Sequence, residues 1–219
     1  MSINHHLDDA TLFSYVAGAL PQGMALVVAC HLSMCDTCRA RLRAPEAVGG
    51  ALLESLTPDQ IDDNSLDDVL ARLDEVEVRP EPDPSEPMPT QTDSEVPQPL
   101  AALIGDSLDD LEWKRMVSGI CYIDLPGGPQ GVTKLLRVAP GGVVLPHTHR
   151  GNELTLLLRG SLSDEIGRFQ RGDISDLDDQ IEHQPLADSR EGCICIVATD
   201  APIRFTTLLG RLVQPLTGF

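Results

Sequence analysis

Residues 141–160 read Gly-Gly-Val-Val-Leu-Pro-His-Thr-His-Arg-Gly-Asn-Glu-Leu-Thr-Leu-Leu-Leu-Arg-Gly. His147 and His149 stand two apart, so along an extended strand both side chains project to one face. Glu153 follows past a turn and opens an aliphatic run, Leu154–Leu158. Gly141 and Gly160 permit the turns that bound this strand pair. A second strand that brought His183 opposite would complete three imidazoles and one carboxylate, a donor set suited to a divalent transition metal.

Outward from this stretch, short runs rich in Val, Ile, Leu and Thr alternate with glycine punctuation. The runs are Thr133–Val138, Leu154–Leu158, Cys193–Ala198 and Ile203–Leu209, separated by Gly127-Gly128, Gly141-Gly142 and Gly172-Asp173. Helical periodicity is absent here, and the pattern predicts an all-β barrel or sandwich over residues 112–216. A short helix over Leu100–Leu111 precedes it. Cys193 and Cys195, at i and i+2, share one face of their strand. They read either as two small buried hydrophobes or as a redox-sensitive pair facing the barrel interior near the metal.

Residues 79–99 read RPEPDPSEPMPTQTDSEVPQP, and seven of these 21 residues are proline. Proline fixes φ and removes donors, so the stretch reads as an extended acidic spacer. It divides the chain into a region 1–78, a linker 79–99 and a region 100–219. The first region is helical by pattern. Asp8 or Asp9 can cap a helix through Leu12, Tyr15, Val16 and Leu20, which Gly18 and Pro21 end. A second helix runs from Pro21 to His31, and a third from Asp36 past Leu42. A fourth starts at Asn64 or Ser65 and carries Leu66, Val69, Leu70 and Leu73 opposite Asp67, Asp68, Asp74 and Glu75. Four short helices in 78 residues bury a marginal core, which a metal would reinforce.

The sequence supplies candidate ligands. In His31-Leu-Ser-Met-Cys35-Asp-Thr-Cys38, the histidine ends a helix and Cys35 lies one turn on. Cys35 and Cys38 form a CxxC knuckle. Tetrahedral zinc needs a fourth ligand, for which His5 or His6 is available, with Cys30 as an alternative. A CxxC pair can also be redox-active, but no βαβ pattern surrounds this one.

His6, then 24 residues, then His31-x3-Cys35-x2-Cys38 resembles the zinc-binding anti-sigma fold over residues 1–78. His5-His6, Ala25–Ala29, His31-Leu-Ser and Ala47-Val-Gly-Gly are similar to the ChrR type of that family. The resemblance implies that His6, His31, Cys35 and Cys38 bind one zinc. It further implies that the helices wrap a group IV (extracytoplasmic-function, ECF) sigma factor and block its access to core RNA polymerase. Gly141-x5-His147-x-His149-x3-Glu153-x6-Gly160 resembles the first cupin motif. The second is partly kept: Gly172 stands at its start and His183 at its histidine, but Asp178, Gln180 and Ala187 replace the usual proline, glycine and asparagine. The resemblance implies zinc or another divalent transition metal at His147, His149, Glu153 and His183. The expected fold is thus a small all-α zinc-binding domain followed by an all-β cupin barrel.

Composition narrows the function classes. The net charge of the chain is −18, and residues 1–78 alone carry −9. Such a surface repels nucleic acid and anionic membrane and favours a basic protein partner. No apolar run approaches the ~20 residues that span a bilayer. The N-terminus lacks the regions of a signal peptide, so a cytoplasmic location is expected. Two functions compete. One is a regulator whose barrel senses oxidative, singlet oxygen-like stress. The other is a metal-dependent, dioxygenase-like cupin enzyme with a zinc-stabilised tether. The sequence offers no second acid–base pair or nucleophile for turnover, and a non-enzymatic role is expected.

Overall fold

A computed structural model describes residues 2–75, 94–129, 131–148 and 150–206. The expected strand end at Leu209 and most of the proline-rich stretch lie outside the described residues. Six helices lead the described chain: α1 (Asp9–Val16), α2 (Gln22–Met34), α3 (Asp36–Arg41), α4 (Arg43–Ser55), α5 (Ser65–Glu75) and α6 (Gln98–Ile104). Ten strands follow: β1 (Lys114–Val117), β2 (Ile120–Asp124), β3 (Val132–Val138), β4 (His147–Thr148), β5 (Glu153–Ser163), β6 (Arg168–Gln170), β7 (Ile174–Leu177), β8 (Leu186–Ala187), β9 (Cys193–Thr199) and β10 (Arg204–Phe205).

The first helix is capped as its sequence predicts, with Asp8 accepting from the Thr11 amide at 2.6 Å. It ends at Val16, short of Leu20. The second runs one turn past His31, and α6 ends at Gly105 rather than at Leu111. The expected third helix is two, α3 and α4, which meet at Leu42.

All pairings in the sheet are antiparallel, in the order β1-β2-β3-β9-β5-β6, with β7 and β8 also on β5; β10 pairs with β4. Long β5 carries four neighbours because its eleven residues outrun any one of them. Strand β9 is buried at every residue, and the pleat explains why. Cys193, Cys195 and Val197 pack with Leu136, Val138 and Leu157 on the barrel interior. Ile194, Ile196 and Ala198 pack on the outer face with Leu135, Leu154, Leu156 and Leu158. That outer core also contains Met24, Val27, Val28 and Leu32 of α2. A helix apolar on most of its surface must be buried on most of its surface, and α2 lies against β3, β5, β9 and α6. Gly23 makes this seat possible: a Cβ there would fall within 1.7 Å of Thr133 Oγ1.

Contact therefore groups the chain differently from composition. Residues 1–47 and 95–219 form one compact unit, and residues 48–94 form another. Within the first, Val96 and Leu100 are buried and Arg159 pairs with Glu95 and Asp109. The second holds most of α4 and all of α5. Val48, Leu52, Leu53 and Leu56 are exposed on and just after α4, as are Leu66, Val69, Leu70 and Leu73 on α5.

Candidate metal centres

Among the described residues, two clusters of side chains that could hold a metal form, one in the helical region and one in the barrel. In the first, one nitrogen or sulfur from each of His6, His31, Cys35 and Cys38 lies within 4.8 Å of all the others. His31 comes from the last turns of α2. Cys35 ends that helix and caps α3 by accepting from the Cys38 amide at 3.4 Å, so the knuckle is also the junction between two helices. His31 Nε2 is 3.3 Å from Cys38 Sγ. His6 Nδ1 is 3.3 Å from Cys35 Sγ and 3.6 Å from Cys38 Sγ.

The electrostatics suit a cation. His31 is fully buried, and burial lowers its pKa to about 4 against the opposing effect of the Gly172 carbonyl. Its ring is therefore neutral near pH 7. Nδ1 donates to that carbonyl at 3.0 Å, so Nε2 keeps its lone pair for the cluster. Burial pushes the Cys38 thiol up, a cost that a bound cation offsets by stabilising the thiolate. The Arg41 guanidinium, 3.9 Å from Cys38 Sγ, assists. Two sulfurs and two nitrogens make a closed donor set of the structural zinc type. His5 turns away, its ring against Phe169 and its Nδ1 3.5 Å from Asp173. Cys30 packs in the core, where burial pushes its thiol up to about 12.

In the barrel, His147, Glu153 and His183 bring their ligand atoms equally close. Strand β4 holds His147, an isolated bridge sets His183 opposite it, and Glu153 opens β5. His147 Nδ1 donates to the Leu145 carbonyl at 2.9 Å, and His183 Nδ1 to Asp164 at 3.0 Å. Burial raises Asp164, but hydrogen bonds from the His183 ring and from the Ile166 and Gly167 amides hold it below the usual carboxylate range. Both rings thus turn Nε2 inward, 3.1 Å from each other and each 3.9 Å from a Glu153 oxygen. Two imidazole lone pairs and a carboxylate converging in a buried site fit a divalent transition metal. His149 lies outside the described residues.

A cavity of about 100 Å³ adjoins this cluster. His147, Glu153, Cys193 and Cys195 all line it, among aliphatic walls. The hydrogen bond between the two thiols lowers Cys193 and, with burial, raises Cys195.

The anti-sigma-E factor ChrR of Cereibacter sphaeroides is 45% identical over 216 residues, covering 98% of both chains. The chain belongs to the ChrR family of anti-sigma factors. Residues 104–202 of this family member also match the ChrR cupin-like domain. A chain from the crystal structure of Rhodobacter sphaeroides SigE in complex with the anti-sigma ChrR is 41% identical, with a TM-score of 0.75 over 91% of this chain and 100% of its own. KdgF from Halomonas sp. is 18% identical over 43% of this chain and 90% of its own, with a TM-score of 0.38. Sequence reading missed Asp164 and Asp173, which accept hydrogen bonds from the His183 ring and from the Asn4 and His5 amides, and it did not place the Gly172 carbonyl against His31. The Gly172-Asp173 dipeptide carried a signal, read as a break between strands and, at Gly172, as the start of the second cupin motif.

Proposed function

We propose that this chain is an anti-sigma factor that sequesters a group IV (ECF) sigma factor and blocks its binding to core RNA polymerase. The observation that carries this reading is the identity to an anti-sigma factor over 98% of both chains. Two features support it. The apolar side chains exposed on α4 and α5 offer a partner a large apolar surface. The −9 charge of residues 1–78 favours a partner basic enough to contact DNA. His6, His31, Cys35 and Cys38 hold zinc in a structural role, tying the N-terminal segment to the α2–α3 junction.

The barrel, with zinc or another divalent transition metal at His147, His149, Glu153 and His183, is the sensor. Its metal cluster and two thiols share one cavity, where an oxidant such as singlet oxygen or a product of it reaches both. Beyond the ligands, the described lining residues offer one threonine and two thiols but no acid–base pair, which favours sensing over turnover. Release of sigma then requires that the oxidised barrel weaken the complex, because a signal shifts an equilibrium only through differential affinity.

The test is affinity capture of the full chain from its native cells, with bound proteins identified before and after zinc is stripped. A group IV sigma factor recovered only with zinc present is expected. Capture of no transcription protein sinks the reading and returns the barrel to the search for small-molecule turnover.

A further inference from the structure

The turn between β6 and β7 touches the N-terminal metal cluster directly. Gly172 offers its carbonyl to His31 Nδ1 at 3.0 Å in a buried contact. Asp173, 1% exposed, accepts at Oδ1 from the amides of Asn4 at 2.7 Å and His5 at 3.0 Å, and at Oδ2 from the Gln170 amide at 2.8 Å. The Ile174 amide donates back to the His5 carbonyl at 3.4 Å, and Asp176 accepts from the Asp8 amide at 3.1 Å. Residues 4–8, which carry the ligand His6, are thus laid along β7. Gly172 has φ +90°, and a Cβ there would meet Ile3 at 2.8 Å and Met34 at 3.4 Å. Glycine both adopts this backbone and lets the N-terminal segment and the end of α2 close on the carbonyl.

The other edge of β7 pairs with β5, with Leu177 opposite Glu153 and Asp176 opposite Leu154. The strand that holds the His6 segment is therefore hydrogen-bonded to the start of the strand that supplies the barrel ligand Glu153.

We propose that the β6–β7 turn is the outer shell of the N-terminal metal site, with Asp173 as the positioning residue for His6 and the Gly172 carbonyl for His31. The barrel then sets how tightly the helical region holds its metal, and a change at Glu153 reaches that site through one strand pair. Outer-shell partners fix the tautomer and aim of their ligands, and their loss weakens metal affinity by roughly 10- to 100-fold. The inference rests on reading His6, His31, Cys35 and Cys38 as a metal site.

The experiment loads the full-length chain with cobalt(II) and follows the thiolate-to-cobalt charge-transfer band. That band is assigned to the Cys35–Cys38 site by its loss in Cys38→Ala, because Cys193 and Cys195 line the cavity beside the barrel cluster. Chelator competition then measures affinity at the thiolate site alone. Asp173→Asn, whose amide faces a backbone N–H with the wrong polarity, should weaken it by about 10-fold or more. Asp188→Asn is the control. It removes a comparable carboxylate, bonded to Ser161, Ser163 and Arg168 at the other end of β5, and should leave the band and affinity unchanged. If Asp173→Asn does not fold, Asn4→Pro deletes one of the same hydrogen bonds from the helical side and should weaken affinity in the same direction. Affinity within twofold of the native chain in the folded variant overturns the proposal, as does equal weakening by Asp188→Asn. A native chain with no charge-transfer band overturns the metal reading itself and this proposal with it.

Discussion

His5 and His6 are adjacent, and no spacing rule separates them as ligands. What separates them is Asp173, which takes the His5 amide and faces its ring, leaving His6 Nδ1 to the two sulfurs. A contact across 168 residues is invisible to local reading, whereas His31, Cys35 and Cys38 were legible because a helix end and a knuckle place them. Replacing His31 or Cys38 by alanine leaves three ligands in a buried cluster. Each variant should lose the metal of that site and much of the helical signal, and with them sigma inhibition. Normal inhibition by either, in a transcription assay with the cognate sigma factor, removes zinc from the mechanism. A second prediction concerns Asp188. Burial raises its pKa, but hydrogen bonds from Ser161, Ser163 and Arg168 prevail and hold it at about 2. A depressed carboxylate stabilises the fold above its unfolded pKa of 3.8, and that contribution is lost as pH falls from there through about 2. With part of the interaction screened by solvent, Asp188→Asn should cost about 1–2 kcal/mol near pH 6. The cost should shrink progressively toward pH 2, as measured by urea unfolding. A constant difference across that range refutes the assignment.

At the scale of elements, three runs named from the sequence, Thr133–Val138, Leu154–Leu158 and Cys193–Ala198, become β3, β5 and β9, strands with buried residues on both faces, and Ile203–Leu209 contains β10. Strands β6, β7 and β8 were not legible. They are two to four residues long and owe their existence to pairing with β5. The α3–α4 junction at Leu42 was equally hidden, since both helices keep the same periodicity. Helix α5 was legible from its stripe, and the structure adds that Leu66, Val69, Leu70 and Leu73 are each about half exposed or more. Such side chains contribute little to the fold and much to an interface, where a few apolar anchors carry most of the affinity. Leu70→Glu with Leu73→Glu should weaken sigma binding by more than about 10-fold, each anchor contributing about 1 kcal/mol or more. Their far-UV circular dichroism and thermal midpoint should stay near those of the native chain. Unaltered affinity moves the interface off α5; a large loss of stability shows that the stripe belongs to the core.

At the scale of the whole molecule, the two faces of the sheet bear on the sensing role proposed for the barrel. Helix α2 packs on the barrel's outer face, while the His147–Glu153–His183 cluster and the thiols lie on its inner face, and β5 and β9 present one side to each. Under the proposed sensing role, a rearrangement of Cys193, Cys195 or a metal at the barrel cluster would act on strands whose opposite side chains touch α2, the helix that carries His31. This predicts a separation of functions. A fragment ending near residue 85 keeps His6, His31, Cys35 and Cys38 with α4 and α5, and should still inhibit sigma, but it should ignore the oxidative signal. Having lost Gly172 and Asp173, it should also yield its metal to a chelator more readily than the full chain. His147→Ala in the full chain should instead empty the barrel site, spare sigma binding and abolish the response, as metal analysis and a sigma-dependent reporter would register. If the fragment binds zinc and folds but fails to inhibit, sigma contacts the barrel as well. If the barrel variant still releases sigma on oxidant, the thiols sense alone and the metal there serves the fold.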